Sequence, residues 1–426
     1  MKNLLVALLT LTTSAAFAQS AEPQPTTSAP ASAESAPATE STPAQAETSE
    51  VPAAPSVDDR LTTTEGKLTA LEEQYAETKN DVGLLKKLKF SGYVQGRYQY
   101  QQTDYDEAAP DLKLTDGFSR FTVRRGRIKA TYSGDTGQVM IQVDIIPTAV
   151  QLRDAEATLY IPGTQQNLSV TLGQMKVPFG FEGPFSSSER EFPERSRMTG
   201  AFLPGERDRG LRINGKYRAL RIAAGVFDGN AMNNVGFVGT DNDKEKDLIG
   251  RLGFDLKWIS GGVSGWKGNT LGKRNGPDPD LFRKAYPRTR LGADVQVYLD
   301  LLPAGGTAFK AEYATGKSYQ RNNVEQLGLP ASGWWAQIAQ NIGVSDEAVV
   351  RYEYFDYENG RAAEESGSRL GANNAIGTLG LAYIHYFGET VKLTAAYEIN
   401  MTETVKGGTA EDPTDNLFTL QLQARY

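Results

Sequence analysis

Lys89–Gln101, KFSGYVQGRYQYQ, alternates two kinds of side chain with a period of two. Phe90, Gly92, Val94, Gly96, Tyr98 and Tyr100 share one parity, and Ser91, Tyr93, Gln95, Arg97, Gln99 and Gln101 the other. Successive side chains of an extended chain point to opposite faces, so the stretch reads as a strand with one apolar and one polar face. The pattern recurs to the C-terminus. Val139, Ile141, Val143 and Ile145 oppose Gln142 and Asp144, and Leu291, Ala293, Val295, Val297 and Leu299 oppose Arg290, Asp294, Gln296 and Asp300. Val391, Leu393, Ala395, Tyr397 and Ile399 oppose Lys392, Thr394 and Glu398. An apolar face backed by a charged one is the signature of a transmembrane β-barrel, with lipid outside and water inside.

The connections agree. Short turns such as Gly134–Gly137 and Gly388–Thr390 alternate with long links such as Thr103–Gly117, Phe179–Arg207, Asp228–Asp247 and Asn359–Ala375. One rim of tight turns and one of loops is expected of a barrel, and about sixteen antiparallel strands result. Val263–Lys267 alternates least, so fourteen or eighteen strands also fit. The chain closes on LFTLQLQARY, 417–426, with Phe418, Leu420, Leu422, Ala424 and the terminal Tyr426 on one face. The tandem aromatics Trp334 and Trp335, with Tyr352 and Tyr354, read as interfacial girdle residues.

Mean hydropathy is −0.44 over 426 residues, and no apolar run past the N-terminus is long enough for a spanning helix. There is no Cys, and His385 is the single His. Thiolate chemistry is therefore excluded, and a Ser-His-Asp triad or a His-rich metal site is disfavoured, so the chain reads as a non-enzyme without a cofactor. The serine cluster Ser186–Ser188 reads as a loop turn. Asp241, Asn242, Asp243 and Asp247 form only a fragment of a calcium loop.

Met1–Ala18 has the form of a secretory signal, with Lys2, an apolar run and Ala16-Phe17-Ala18 as the cleavage site. Residues 19–56 are rich in Ala, Pro, Ser, Thr and Glu and lack aromatics, a composition that favours disorder. The seven acids of this extension and of Asp58 and Asp59 account for the net charge of −7, so the acidity says nothing of the barrel. In residues 57–88, Leu61, Leu68, Tyr75 and Val82 recur every seven positions, as do Thr64, Leu71, Thr78 and Leu85. That seam predicts a periplasmic coiled coil, or else a solitary amphipathic helix, and the extension could contact the cell wall. The barrel itself is residues 89–426.

The longest ordered link lies inside Gly173–Arg218, GQMKVPFGFEGPFSSSEREFPERSRMTGAFLPGERDRGLRINGKYR. Nine cations meet six acids there, a local surplus in an acidic chain. Arg190, Arg195 and Arg197 cluster midway, where a loop 179–207 folded inward reaches farthest. Parity puts Arg125, Arg127 and Lys129 inward on one strand, and Arg212, Lys216 and Arg218 inward on another. Lys176 has two readings. A bulge at Gly173 would turn it into the lumen; otherwise it sits in the headgroup rim. A cationic lumen favours small anions, whereas a charge-balanced lumen would be merely polar.

The segments GQMKVPFGFE, SSSEREFPERSR and AFLPGERDRGLRINGKY resemble the third-loop region of the phosphate-selective porin O and P family. FTVRRGRIKATY and DAEATLYI are similar to that family's second and fourth strands. The resemblance spans roughly Phe90 to the end and is strongest over Arg120–Phe227. It implies a homotrimeric sixteen-stranded barrel in the outer membrane of a Gram-negative bacterium, surrounded by outer-membrane lipid and narrowed by its third loop. It further implies an arginine ladder passing small anions, phosphate or polyphosphate foremost, and no nucleic-acid partner.

Overall fold

The computed structural model describes residues 56–426 apart from 103, 107–108, 116, 230–243, 272–284, 318–329, 358, 360–374, 403, 407–408 and 412–414. The signal and the acidic extension up to residue 55 lie outside the described residues, as do Asp241–Asp243.

Residues Val57–Lys86 form helix α1. Leu61, Leu68, Leu71, Tyr75 and Leu85 are exposed on it, so the seam is uncovered in the single chain. Thr64 turns its hydroxyl back on the Arg60 carbonyl at 2.7 Å, with Thr62 doing the same to the Asp58 carbonyl at 2.8 Å. Such bonds satisfy a polar group that an apolar seam could not.

Sixteen strands then close into a barrel. They are β1 (Leu88–Gln101), β2 (Phe118–Ser133), β3 (Gly137–Ile146), β4 (Ala149–Tyr160), β5 (Leu168–Lys176), β6 (Arg207–Tyr217), β7 (Leu220–Phe227) and β8 (Asp247–Asp255). The second half is β9 (Ile259–Leu271), β10 (Ala285–Leu302), β11 (Gly305–Lys317), β12 (Pro330–Ile342), β13 (Asp346–Asp356), β14 (Ala375–Phe387), β15 (Val391–Thr402) and β16 (Leu417–Arg425). Each pairs antiparallel with its neighbours in sequence, and β1 pairs with β16 from Tyr93↔Arg425 to Gln101↔Leu417. Closure leaves no edge whose backbone groups would lie unpaired in hydrocarbon. Two small hairpins, Asp104–Asp106 with Ala109–Thr115 and Thr404–Lys406 with Thr409–Glu411, sit in the long links after β1 and β15.

Alternation decides the faces. On β1, Val94 is exposed on the outer wall while Tyr93, Gln95 and Arg97 are buried inside. Leu291, Ile213, Leu248 and Leu381 are likewise exposed on the outer wall. One expectation fails here. Trp334 lies on the lipid face against Tyr352, 5.4 Å between ring centroids, but Trp335 is buried inside the barrel and belongs to no girdle. Adjacent residues of a strand cannot share a face, so a tandem pair must divide between lipid and lumen.

Candidate functional site

Residues 177–206, between β5 and β6, turn into the bore and dock on strands around its circumference. Gly180 N–H donates to Ser264 Oγ on β9 (3.0 Å), and the Glu182 N–H donates to Glu312 on β11 (2.8 Å). Gln95 on β1 and Gln423 on β16 donate to the carbonyls of Ser187 and Ser188, both at 3.0 Å. Lys392 on β15 donates to the Arg190 carbonyl (2.9 Å), and Arg351 on β13 to that of Glu194 (3.3 Å). Gly180 makes the close approach to β11 workable: its φ is +67°, and a Cβ there would run into the Glu312 carboxylate.

The loop's apolar flank faces β7–β15. Val177, Phe179, Met198, Phe202 and Leu203 pack with Met175, Phe227, Ile249, Trp266, Trp335 and Phe355, all buried. Phe192 packs separately with Ala339, Val349, Ala382, Ile384 and Ala396. A buried Phe contributes roughly 1.5–3 kcal/mol, so Phe179, Phe192 and Phe202 anchor the loop independently of its charges. A short helix, α2 (Arg197–Phe202), carries Met198 and Phe202 into this core. Ser196 caps it, its Oγ accepting from Thr199 N (3.2 Å) while donating to Glu182 (2.7 Å).

The other flank is ionic and faces β1, β2 and β4. Glu194 gathers three guanidiniums: Arg97 at 2.9 Å, Arg124 at 2.6 Å and Arg125 at 3.2 Å. Glu206 gathers three more: Arg153 at 3.2 Å, Arg195 at 3.2 Å and Arg207 at 2.7 Å. Asp154 shares Arg207 at 2.7 Å. Burial disfavours ionisation of both glutamates, yet the surrounding arginines outweigh it. Glu194 is held well below the usual carboxylate range, and Glu206 is brought down to about 2.

The anticipated site residues divide. Arg125 and Arg127 lie beside the loop, Arg125 donating to Gln95 (3.0 Å) and Arg127 to Asp144 (3.0 Å) and to Ser187 (3.1 Å). Arg195 staples the loop to itself through the carbonyls of Glu182, Gly183 and Phe185. Arg197 reaches Thr378 and Asn400 on β14 and β15. Arg190 is buried, and none of its guanidinium nitrogens has a hydrogen-bond partner among the described residues. Burial first, then the charges of Arg195 and Arg125, push its pKa far below the ordinary arginine value. Glu189, Glu191 and Glu194 do not neutralise the three loop arginines by direct ion pairs. Glu191 pairs with Lys310 on β11, and Glu194 with the arginines of β1 and β2.

Lys176 donates to the Pro184 carbonyl at 2.7 Å, against the inward loop. No bulge at Gly173 is needed: β5 keeps register with β4 and β6 through that residue, whose φ is +130°. The register shift lies in β4 instead, where Arg153 is skipped between the pairs Val143↔Leu152 and Gln142↔Asp154. Arg212 donates to the Lys176 carbonyl (2.8 Å), while Lys129 and Lys216 stand apart from the loop. Lys216 lines a recess of about 300 Å³ near the short-turn rim with Arg221 and Arg251. Arg218 is not a rung of any ladder. β6 ends at Tyr217, and Arg218 sits in the turn at φ +51° with its guanidinium over the Tyr217 ring.

Arg97, Arg124, Arg153 and Arg207 hold the ionic flank and were not anticipated. Simple parity sends Arg124 outward. A register shift between Gln95 and Gly96 of β1 leaves it unpaired and re-aims it to Glu194.

A closed barrel with a lipid-facing apolar wall, whose third long-side link folds into the bore, is a transmembrane barrel with the fold of the outer-membrane porins. Its fold is similar to OprB of Pseudomonas putida, with TM-score 0.58 and 12% identity over 83% of this chain and 97% of that one. It is also similar to the outer membrane channel DcaP of Acinetobacter baumannii, with TM-score 0.53 and 12% identity over 80% and 97%. The anion-selective porin from Comamonas acidovorans gives TM-score 0.53 and 13% identity over 80% and 98%. No protein-family model and no curated protein sequence matches the chain.

Proposed function

We infer that this protein is an outer-membrane porin for passive diffusion of small anions, of the phosphate-selective kind its loop sequence resembles. One observation carries the reading: two loop carboxylates, Glu194 and Glu206, are each enclosed by three arginines. At Glu194, three guanidiniums against one carboxylate leave two positive charges uncompensated by that acid. A narrow passage lined by a surplus of one sign concentrates the opposite ion. Guanidiniums also offer forked donors matched to phosphate oxygens, so inorganic phosphate and polyphosphate are the leading solutes. The exposed seam of α1 supports self-association of the chain, and the family resemblance makes the homotrimer the leading assembly.

The test is the zero-current potential of the purified protein in a planar bilayer across a salt gradient, followed by competition of the chloride current with phosphate. Anion selectivity is expected, weakened by Arg190→Gln with Arg197→Gln, a pair chosen to spare the Arg195 staple. A cation-selective wild type overturns the reading.

A further inference from the structure

The lipid-facing wall between β6 and β11 carries a furrow that ion passage does not use. One register row there reads Ile213, Ala224, Gly250, Gly265, Leu291 and Thr315 from strand to strand. Ile213 and Leu291 are exposed, whereas the facing pair Gly250 and Gly265 puts no side chain between them. A Cβ at Gly265 would meet nothing within 4 Å, and one at Gly250 would meet only ordinary contacts. The result is a groove of about 910 Å³ walled by Leu211, Val226 and Leu248 as well.

The next row toward the long-loop rim is Val226, Leu248, Lys267 and Thr289. Lys317 follows on β11, one residue past the pair Arg290↔Gly316. Lys267 and Lys317 are both exposed, and neither has an ion-pair partner among the described residues. Neighbouring strands lie about 4.8 Å apart, so the two lysine backbones, two strands apart, are separated by roughly 10 Å. Their stems can converge on one anionic group. Unpaired ammonium groups on a lipid-facing wall are costly in hydrocarbon and settle only at the depth of charged headgroups. A second copy packing by this same face would set lysine against lysine.

We propose that the furrow binds a phosphate-bearing, multiply acylated lipid of the outer leaflet. An acyl chain fills the Gly250–Gly265 gap, and a headgroup phosphate lies between Lys267 and Lys317. This rests on placement in an outer membrane and is independent of which ion the bore prefers.

Native mass spectrometry of the full chain in detergent tests it, with diphosphoryl lipid A and its dephosphorylated form as probes. The wild type should retain one lipid per chain, with at least a tenfold preference for the phosphorylated form. Lys267→Gln with Lys317→Gln should abolish that preference, and Gly250→Leu with Gly265→Leu should displace both probes. Heat-dependent gel migration shows that each variant is folded. An unchanged zero-current potential separates failure of this proposal from failure of the anion reading. Absence of a phosphate preference in the wild type, or equal retention by the wild type and the folded lysine variant, overturns it.

Discussion

Glu194→Gln puts the electrostatic reasoning at risk most directly. The carboxylate holds Arg97, Arg124 and Arg125 at 2.6–3.2 Å, so the amide adds one positive charge to the ionic flank. At about 6 Å from a permeating ion in a wet lumen, one unit charge is worth about 0.7 kcal/mol. That is roughly a threefold gain for a monovalent anion and a threefold loss for a cation, or about tenfold in their permeability ratio. The opposing effect is release of the loop, because removing one partner of a buried ion pair costs about 3–5 kcal/mol. Glu194 is 36% exposed, and solvent reduces that cost. The apolar flank, with Phe179, Phe192 and Phe202 all buried, is untouched by the change. The loop is therefore expected to stay seated. Single-channel conductance should remain within about twofold of wild type, while the zero-current potential moves toward that of a purer anion channel. An unchanged or cation-shifted potential at normal conductance refutes the charge argument. A conductance several times higher refutes the claim that the loop stays seated without the Glu194 contacts.

Two further outcomes are expected. Leu68→Asp with Leu71→Asp should lower the thermal stability of the oligomer on native gels and leave single-channel conductance unchanged, because both leucines lie exposed on α1. A wild-type melting profile makes the helix a simple spacer. The second concerns pH. The folded pKa of Glu206, about 2, lies below the ordinary carboxylate value, so its arginine contacts contribute fully above that ordinary value and are lost as pH falls toward 2. Protection of the loop from pepsin should thus hold near pH 4 and decline toward pH 2; a decline already complete at pH 4 contradicts the assignment.

The barrel was legible because lipid and water impose opposite chemistry on alternate residues, and Lys89–Gln101 of β1 states that rule. Trp334 and Trp335 could not both face lipid, and strict parity contained the correction. Arg218 continues the alternation of β6 in sequence, yet the chain has already turned, and nothing in the run KYR signals the left-handed residue. The loop's partners were not legible in the same way. Arg97, Arg153 and Arg207 meet Glu194 and Glu206 through the folding of a thirty-residue link, and no local period encodes which strand such a link will touch. The signal that did exist was the Arg124-Arg125 doublet, since two cations in succession on a strand require either a lipid-facing charge or a bulge.

The seam between the first and last strands is stitched by the loop. Gln95 of β1 donates to Gln423 of β16 at 2.7 Å, and the two amides take the carbonyls of Ser187 and Ser188. The β1–β16 closure is thus also one of the places where the loop is fastened. With the loop outside the bore the same two amides would face water, so seating the loop exchanges that water for the Ser187 and Ser188 carbonyls. Because one loop carbonyl is held from each side of the closure, a seated loop ties the first strand to the last as well as narrowing the bore.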